Sequence, residues 1–410
     1  MRTTVSGSAI FAVLLAAFLP TGVALAQNSP QVIYSFPASG KNGINPEAKL
    51  LYASGRLYGT TRNGGRGLCI FNNACGVVFA LTPNTSGAWT YHSLYAFHDG
   101  SDAQTPVGNL VLDSHGNVYG ATEYGGAHGF GAVYKLTPGT GGQWTESIIH
   151  SFGGTPDGST PTSGLTMDAA GNLYGTTQLG GASGLGTVYK LTGNSNGSWS
   201  ESTLYSFGGS PDGSAPSAEV IFDAAGNIYG TTETGGINAG TVFELSPELG
   251  GQWTENIIYT FPNVQVGYPV AQLWMDAAGN LFGTGQSDGG DGSVYELTPA
   301  SGGGWTETTL FSFLGGIFGG APKGGLAPDG KGNLYATTNG GGEYHNGTIF
   351  KMTPGTEGQW SESVSYSFRS ASGGNYPDAG LTPGQPGTFY GTASFGGTAT
   401  ENGLVFEFKP

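Results

Sequence analysis

A phrase of seven residues, Gly-Asn-Leu-Tyr-Gly-Thr-Thr at 171–177, returns along the whole chain with small variations. The aromatic residue inside it recurs at intervals of 61, 55, 55, 53, 53 and 55 residues. The seven copies are marked by Tyr58, Tyr119, Tyr174, Tyr229, Phe282, Tyr335 and Tyr390. A unit that repeats at such a period cannot bury a core alone, so neighbouring copies must pack against each other.

Three further phrases accompany each copy. One resembles Gly-Thr-Val-Tyr-Lys-Leu-Thr at 186–192, one begins at a tryptophan such as Trp199, and one has the form Pro-x-x-x-Leu, as from Pro161. Each is a short β-branched or aromatic run between Gly, Pro and Asn residues, which is the signature of a strand. Four strands in about 55 residues match one blade of a β-propeller.

The two ends of the chain indicate that the blades close into a ring. Residues 32–36, Val-Ile-Tyr-Ser-Phe, form a fourth-strand phrase without its Trp, and the chain stops after a third-strand phrase at 404–408. An open β-solenoid, the alternative architecture, would leave both fragments as unpaired edges. The sequence therefore predicts an all-β, seven-bladed β-propeller of four-stranded antiparallel blades, closed by the N-terminal strand completing the last blade.

The composition supports an ordered and acidic protein. Gly and Pro supply 77 and 22 of the 410 residues, but 22 Phe, 20 Tyr and 7 Trp give the chain the apolar surface that a disordered chain lacks. Acidic residues outnumber basic ones by 28 to 13, for a net charge of −15. Because such a surface repels phosphate backbones, nucleic acid is excluded as a partner.

The first 26 residues have the features of a secretory signal peptide. Arg2 gives a positive start, residues 10–19 are an apolar stretch too short to span a bilayer, and Ala24-Leu25-Ala26 is a small-x-small cleavage site. An N-terminal membrane anchor is the alternative. We expect cleavage before Gln27, a propeller domain over residues 27–410, no membrane span afterwards, and a monomer in the extracellular or periplasmic space.

The chain has two cysteines, Cys69 and Cys75, in one short loop. In an oxidising compartment this spacing predicts a local disulfide. Such a small ring would stiffen a loop and add only about 2 kcal/mol to stability. Two cysteines without a nearby histidine do not make a zinc site.

Charged residues on the predicted third and fourth strands are 11 residues apart. If the intervening Gly-rich loop forms a hairpin, they should face each other on one side of the sheet. The pairs of opposite charge are Lys135–Glu146, Lys190–Glu201 and Lys351–Glu362.

The combination of Tyr-Gly-Thr-Thr-x-x-Gly-Gly with Gly-Thr-Val-Tyr-Lys-Leu-Thr-Pro resembles the GloVer tandem-repeat proteins over essentially all of residues 31–410. The resemblance implies a secreted bacterial protein with a propeller-like fold. It supplies no catalytic motif, so no functional residue is carried over. The chain differs from anchored members because it has no C-terminal sorting segment.

A binding site is expected on one face of the propeller, where the loops after the second and fourth strands meet. One polar residue follows each second strand there: Arg62, Glu123, Gln178, Glu233, Gln286, Asn339 and Ser394. Arg62, Gln178, Gln286 and Asn339, together with Lys323, are the candidate ligand-binding residues.

Two catalytic hypotheses use the same face. Glu123 and Glu233 could form an acid–base pair for glycosidic bonds, which needs carboxyls about 5–9.5 Å apart, or they could be solvated rim acids. Alternatively, Arg62, Lys323 and the bases Tyr124 and His128 could form a polysaccharide-lyase site.

Asp288 and Asp291 give two carboxylates on a flexible turn, which suits Ca²⁺, although Asp-Gly turns are common without metal. No other cofactor motif is evident. The recurring Trp residues are predicted to pack between blades, with sugar stacking as the alternative.

The leading functional prediction is a non-catalytic scaffold that binds an extracellular glycan or protein. The alternatives are a propeller enzyme that degrades an extracellular polysaccharide, as a lyase or glycoside hydrolase, and a structural surface protein without a discrete site. A deep pocket in which the candidate residues converge would favour the enzyme, and a shallow rim would favour binding.

Overall fold

A computed structural model describes residues 28–65, 75–237, 239–262, 267–287, 292–369, 373–397 and 401–410. They form a ring of seven antiparallel sheets with four strands each, and the described ranges contain no α-helix. The predicted seven-bladed β-propeller is confirmed, and the open solenoid is wrong.

Within each blade, the four strands follow one another in sequence from the axis of the ring outward, except that the outermost strand of blade 7 comes from the N-terminus. The strands of blades 1 to 3 are Leu51–Ala53, Arg56–Thr61, Val77–Pro83 and Trp89–Ala96; Ala103–Leu112, Val118–Gly125, Ala132–Pro138 and Trp144–Ser151; Thr166–Met167, Leu173–Thr177, Thr187–Gly193 and Trp199–Ser206. Those of blades 4 and 5 are Ile221–Phe222, Ile228–Thr232, Thr241–Pro247 and Trp253–Thr260; Trp274–Met275, Leu281–Gly285, Gly292–Pro299 and Trp305–Phe313. Those of blades 6 and 7 are Ala327–Pro328, Leu334–Thr338, Thr348–Pro354 and Trp360–Ser367; Thr382–Pro383, Phe389–Ala393, Leu404–Phe408 and Gln31–Ser35.

The described loops contain short strands and 3-10 turns. Two-residue strands pair Gly158–Ser159 with Leu179–Gly180 and Gly213–Ser214 with Thr234–Gly235. Three 3-10 turns cover Thr140–Gly142, Gly316–Phe318 and Thr356–Gly358.

The N-terminal strand closes the ring in the register of an ordinary fourth strand. Gln31 pairs with Glu407 and Ser35 with Leu404, with a β-bulge between Val32 and Tyr34. The other blades have a bulge at the equivalent place, as after Val188 in blade 3. The closing strand therefore reproduces an irregularity of the repeat, which pins its register.

A glycine–proline contact joins each blade to the next. Gly186 has φ +102°, and a Cβ there would lie 2.5 Å from Cδ of Pro216 in the following blade. At the closure of the ring, a Cβ on Gly403 would lie 2.4 Å from Cδ of Pro46. The interface between blades 7 and 1 is thus built like the six interfaces within the chain.

Aromatic rings fill the layer between blades. Phe207, at the end of a fourth strand, packs edge-on against Phe243 of the next blade, with 5.2 Å between ring centroids. Farther out, Trp199 contacts Tyr119 of the preceding blade at 5.8 Å. The predicted role of the recurring Trp residues in blade-to-blade packing is confirmed.

The predicted pairing of lysines with glutamates is wrong. Lys135 lies opposite Ser147, while Glu146 lies opposite Leu136. Since a shift of one residue moves a side chain to the other face of a sheet, the two charges point in opposite directions. Lys135 instead lies over the ring of Tyr119, and burial raises the pKa of the Glu146 carboxyl to about 7.

Several predictions concern residues outside the described ranges. These are the signal peptide over 1–26, Cys69, Asp288 and Asp291. Cys75 is buried, and the described residues contain no free cysteine. Nor do those ranges contain a helix of the length and apolarity needed to cross a membrane.

We predict that Phe36→Ala lowers the free energy of unfolding by about 3–5 kcal/mol, because Phe36 is fully buried and packs on Phe79 at 5.3 Å. Val32→Ala in the same strand, where the side chain is 37% exposed, should cost less than about 1 kcal/mol. Urea unfolding measures both. Equal, small effects would show that the closing strand contributes little to stability.

Candidate functional site

The polar residue after each second strand is oriented by the backbone of the same blade. In blade 3, the buried hydroxyls of Thr177 and Thr187 lie 2.8 Å apart and fix the end of the strand. The N–H of Gln178 then donates to the carbonyl of Thr160 at 3.0 Å. Thr160 precedes Pro161 and has φ +54°, a strained value for a β-branched residue. The scaffold thus holds Gln178 in one orientation.

The same backbone bond recurs in five other blades. It links Arg62 to Asn45, Glu233 to Ala215, Gln286 to Tyr268, Asn339 to Ala321 and Ser394 to Tyr376. The acceptor has positive φ each time. The recurrence around the ring shows that these residues share one face, as predicted.

A second ring of residues lies nearer the axis. It consists of the residue that follows the proline of each Pro-x-x-x-Leu phrase: Glu47, Val107, Thr162, Ser217, Val270, Lys323 and Asp378. Of these, only Lys323 was predicted from the sequence to bind a ligand. Aligning the seven Pro phrases would have found the others, because this position varies while the flanking Pro and the apolar residue stay constant.

The two rings together line a central pocket with a volume of about 530 Å³. Its walls come from blades 1 and 3 to 7. The lining residues are Glu47, Thr162, Gln178, Ser217, Glu233, Val270, Gln286, Lys323 and Asp378. The pocket therefore presents carboxylates, amides, hydroxyls and one ammonium group around a single apolar side chain.

Asp378 is the most firmly held carboxylate of the pocket. It accepts hydrogen bonds from Lys323 Nζ at 3.1 Å, Asn339 Nδ2 at 2.5 Å and Ser394 Oγ at 2.6 Å. These donors come from blades 6 and 7, so the carboxylate bridges a blade interface. Three donors, one of them charged, hold the carboxylate in one orientation.

Glu47 is in a different electrostatic position. Burial raises the pKa of its carboxyl, and the carboxylates of Asp378 and Glu123 add to the shift, while Arg62 and Lys323 oppose it. Arg62 approaches Glu47 at 3.8 Å but bonds Glu123 at 2.5 Å. Glu47 thus keeps its proton to a higher pH than an ordinary glutamate and can act as a hydrogen-bond donor.

Below the pocket, polar side chains cross the central channel. Lys49 Nζ bonds Gln272 Oε1 of blade 5 at 3.4 Å. Glu219 accepts from the backbone N–H groups of Asn109 and Gly164 at 3.2 and 3.1 Å. Burial lowers the pKa of the Lys49 amine, and Glu219 opposes that shift. These contacts tie blades 1 to 5 together beneath the site.

The structure does not place the proposed glycosidase pair in one cavity. Glu123 is buried and paired with Arg62, and it does not line the central pocket. Glu233 does line the pocket, where it accepts from Gln178 Nε2 at 3.4 Å.

The residues of the lyase hypothesis are also dispersed. Lys323 lines the central pocket, whereas Arg62 lines an adjoining cavity of about 130 Å³. Tyr124 and His128 line neither. A hydrogen bond to the Glu123 carboxylate, followed by burial, raises the pKa of the Tyr124 hydroxyl. His128 is exposed on the outer part of its loop.

No group of three or more His, Cys, Asp or Glu side chains suited to a metal ion occurs among the described residues. Asp288 and Asp291 lie outside those ranges. The calcium hypothesis therefore stays a prediction.

A comparison with known protein families identifies the family of the chain. The sequence pattern described as the Gloeobacter/Verrucomicrobia repeat matches residues 21–169 and 141–327. The chain belongs to this family, which confirms the resemblance drawn from its motifs. A comparison with curated proteins found no match.

Several solved structures are similar to this chain at low sequence identity. An ancestral GH74 enzyme is 11% identical with a TM-score of 0.56, over 90% of this chain and 48% of that chain. The chain thus spans about half the length of that enzyme. A putative gluconolactonase is 12% identical, with a TM-score of 0.43 over 93% and 98% of the two chains. The PQQ-bound aldose sugar dehydrogenase of Streptomyces coelicolor is 11% identical, with a TM-score of 0.45 over 77% and 95%.

A double-mutant cycle tests the ion pair between Arg62 and Glu123, which lies beside the central pocket. We predict that Arg62→Gln destabilises the fold by about 1–3 kcal/mol, because the Glu123 side chain is only 11% exposed and loses its counter-charge. Adding Glu123→Gln should recover most of the loss, which gives a coupling energy of about 1–3 kcal/mol in urea unfolding.

The matched control is a cycle of Lys331→Gln and Glu248→Gln, two exposed residues of blades 6 and 4. Their effects should add within about 0.5 kcal/mol. The same additivity for Arg62 and Glu123 would contradict a structural role for their ion pair.

Proposed function

We propose that this chain is a secreted, non-catalytic propeller that binds an extracellular glycan in its central pocket. The observation that carries the proposal is the convergence of polar side chains from six blades on one cavity of about 530 Å³. This volume lies within the range of small-ligand sites, which is roughly 300–1,000 Å³. Secretion rests on the features of residues 1–26.

The chemistry of the lining suits a polyhydroxylated ligand. Gln178 and Gln286 each offer donors and acceptors, and the hydroxyls of Thr162 and Ser217 do both. Asp378 and Glu233 can accept bonds from neighbouring sugar hydroxyls. Since each hydroxyl of a sugar is both donor and acceptor, such a mixed lining satisfies a sugar better than an apolar molecule.

None of the described residues that line the pocket is aromatic. Recognition would therefore depend on hydrogen bonds and not on stacking of a ring against a sugar face. The solved propellers support the fold alone at their low identities, so the choice of a glycan rests on the lining residues.

The test is a binding screen of the chain from Gln27 onward against a panel of polysaccharides and oligosaccharides, followed by calorimetry of the ligands retained. We predict that Gln178→Ala weakens binding about threefold to tenfold, because one amide contact is lost. Gln143→Ala, an exposed glutamine in the turn between the third and fourth strands of blade 2, should leave binding unchanged.

Failure of every glycan to bind, or equal affinity of the Gln178→Ala variant, would contradict the proposal. Retention of a protein by the same face, lost in Gln178→Ala, would instead support a protein partner.

A second candidate function is a glycoside hydrolase. The pocket holds Glu47, whose pKa is raised by burial, together with Asp378, which accepts hydrogen bonds from three donors. A glycosidase uses two carboxyl groups, one of them as a general acid with a raised pKa. In this function Glu47 would protonate the leaving oxygen. A lyase is less favoured because Tyr124 and His128 lie outside the pocket.

Release of reducing sugars from the bound polysaccharide separates the two functions. For a hydrolase, we predict that Glu47→Gln lowers release more than about 100-fold while binding is retained, because the proton donor is lost. Glu248→Gln, an exposed glutamate far from the pocket, is the control. Binding without any released product would support the non-catalytic function.

A further inference from the structure

A groove between blades 1 and 2 has an equivalent of similar volume between blades 2 and 3, but its lining residues differ. Its volume is about 370 Å³, and Arg56, Tyr58, Ala80, His92 and Trp144 are among its lining residues. Arg56 begins the second strand, directly after the turn between the first two strands, and the groove also reaches Gly142 in a turn between third and fourth strands. These turns lie on the face opposite the central pocket, so this is a separate site.

The first departure is at a third-strand position. In blades 2, 3 and 6, a lysine covers the ring of the second-strand tyrosine: Lys135 over Tyr119, Lys190 over Tyr174 and Lys351 over Tyr335, at 5.8, 5.4 and 5.9 Å. In blade 4, Glu244 accepts a bond from Tyr229 at 2.9 Å. In blade 1, the residue opposite Tyr58 is Ala80, so no charged side chain contacts the Tyr58 ring from this position, although Tyr58 is only 6% exposed.

The second departure is in the hairpin turn. The hydroxyls of Tyr119 and Tyr174 donate to turn aspartates, Asp113 and Asp168, at 3.0 and 3.1 Å. The turn of blade 1 is Ser54-Gly55-Arg56 and has no carboxylate. Within the described ranges, the Tyr58 hydroxyl has no hydrogen-bond partner, so it can donate to a ligand.

The tryptophan supplies an aromatic wall of the groove. At four interfaces the Trp of one blade meets the second-strand aromatic of the preceding blade edge-on, with centroids 5.7–6.2 Å apart. In the described structure Trp144 makes no such ring contact with Tyr58, as Trp253 makes none with Tyr174. Tyr58 and Trp144 both line the groove.

Two side chains that border the groove can carry a positive charge or donate hydrogen bonds. Arg56 and His92 are exposed, and in the described part of the chain neither has a carboxylate within salt-bridge distance. Arg56 is thus a positive charge without a carboxylate partner on a chain with a net charge of −15, and in this respect it resembles Lys135, Lys190 and Lys351 beside the equivalent rings. A planar guanidinium pairs with carboxylate or sulfate oxygens through two parallel hydrogen bonds.

We propose that this groove binds an acidic sugar unit of a glycan, with its anionic group on Arg56. His92 and the Tyr58 hydroxyl supply further hydrogen bonds, and Trp144 offers an apolar face to the sugar ring. The site is independent of the proposed function of the central pocket. Uronate carboxylates and sulfate esters share this chemistry, and the experiment below distinguishes them.

The test measures binding of three tetrasaccharides by calorimetry: tetragalacturonate, a sulfated tetrasaccharide of the carrageenan type, and neutral cellotetraose. We expect one or both anionic probes to bind, with a stronger response than cellotetraose. Arg56→Gln should weaken binding of the anionic probe at least about tenfold, because it removes the one fixed positive charge.

Ala80→Glu is the more stringent test, because it changes both the space and the charge of the groove. Glutamate stands at the equivalent position of blade 4, so the repeat accommodates it, and here it would fill the groove and repel an anion. We expect it to abolish binding of the anionic probe. Lys331→Gln, with the same loss of charge in the equivalent turn of blade 6, should bind like the parent chain.

Preference between the carboxylated and sulfated probes identifies the anion. The proposal is overturned if neither anionic probe binds at millimolar concentration, if cellotetraose binds equally well, or if Arg56→Gln and Ala80→Glu keep the parent affinity. Thermal melts of each variant show whether the fold is retained, and Arg56→Gln, on an exposed turn, keeps the test valid if Ala80→Glu does not fold.

Discussion

The edge-to-face contact between two buried aromatic rings at each blade interface is the interaction on which the architecture depends. A phenylalanine that ends one fourth strand packs on the third-strand aromatic of the next blade, as Phe152 does on Tyr189 at 5.0 Å. The same contact closes the ring, where Phe36 meets Phe79 at 5.3 Å. Each is worth about 0.5–1.5 kcal/mol beyond the area that it buries. Because the central pocket draws side chains from six blades, it exists only when every one of these interfaces is made.

The scaffold separates the residues that fold the chain from those that could bind a ligand. The threonines that end the second strand, the glycine that approaches the next blade and the proline that receives it are determined by packing. Gln178 shows the consequence: its backbone is fixed by Thr160, while its side chain points into the pocket and makes no scaffold contact except with Glu233. Side chains after the second strand and after the proline can therefore vary without loss of the fold.

The period and the strand phrases were enough to predict the blades, their number, the closing strand and the role of the Trp residues. The register of Lys135 and Glu146 could not be predicted, because five residues separate the paired Pro138 and Trp144, and the length of a Gly-rich loop within a hairpin is not visible in its composition. Glu47 and Asp378 were missed since the Pro phrase was treated only as a strand signal. Tyr124 was included as a base near the same face, but it directly follows Glu123, and successive residues of an extended segment point to opposite sides.

In a ring of similar units, each blade can be compared with the others, and blade 1 differs from them in the outer layer of its interface with blade 2. Its interface with blade 2 keeps the inner contacts, since Phe97 meets Tyr134 at 5.0 Å and a Cβ on Gly76 would lie 2.4 Å from Cδ of Pro106. Only the outer layer differs, where Ala80 and the turn at Ser54 remove both partners of Tyr58. Since the inner layer already holds the blades together, the outer layer is free of that structural role. Arg56 and His92 of this outer layer are the side chains to which we assign an anionic ligand.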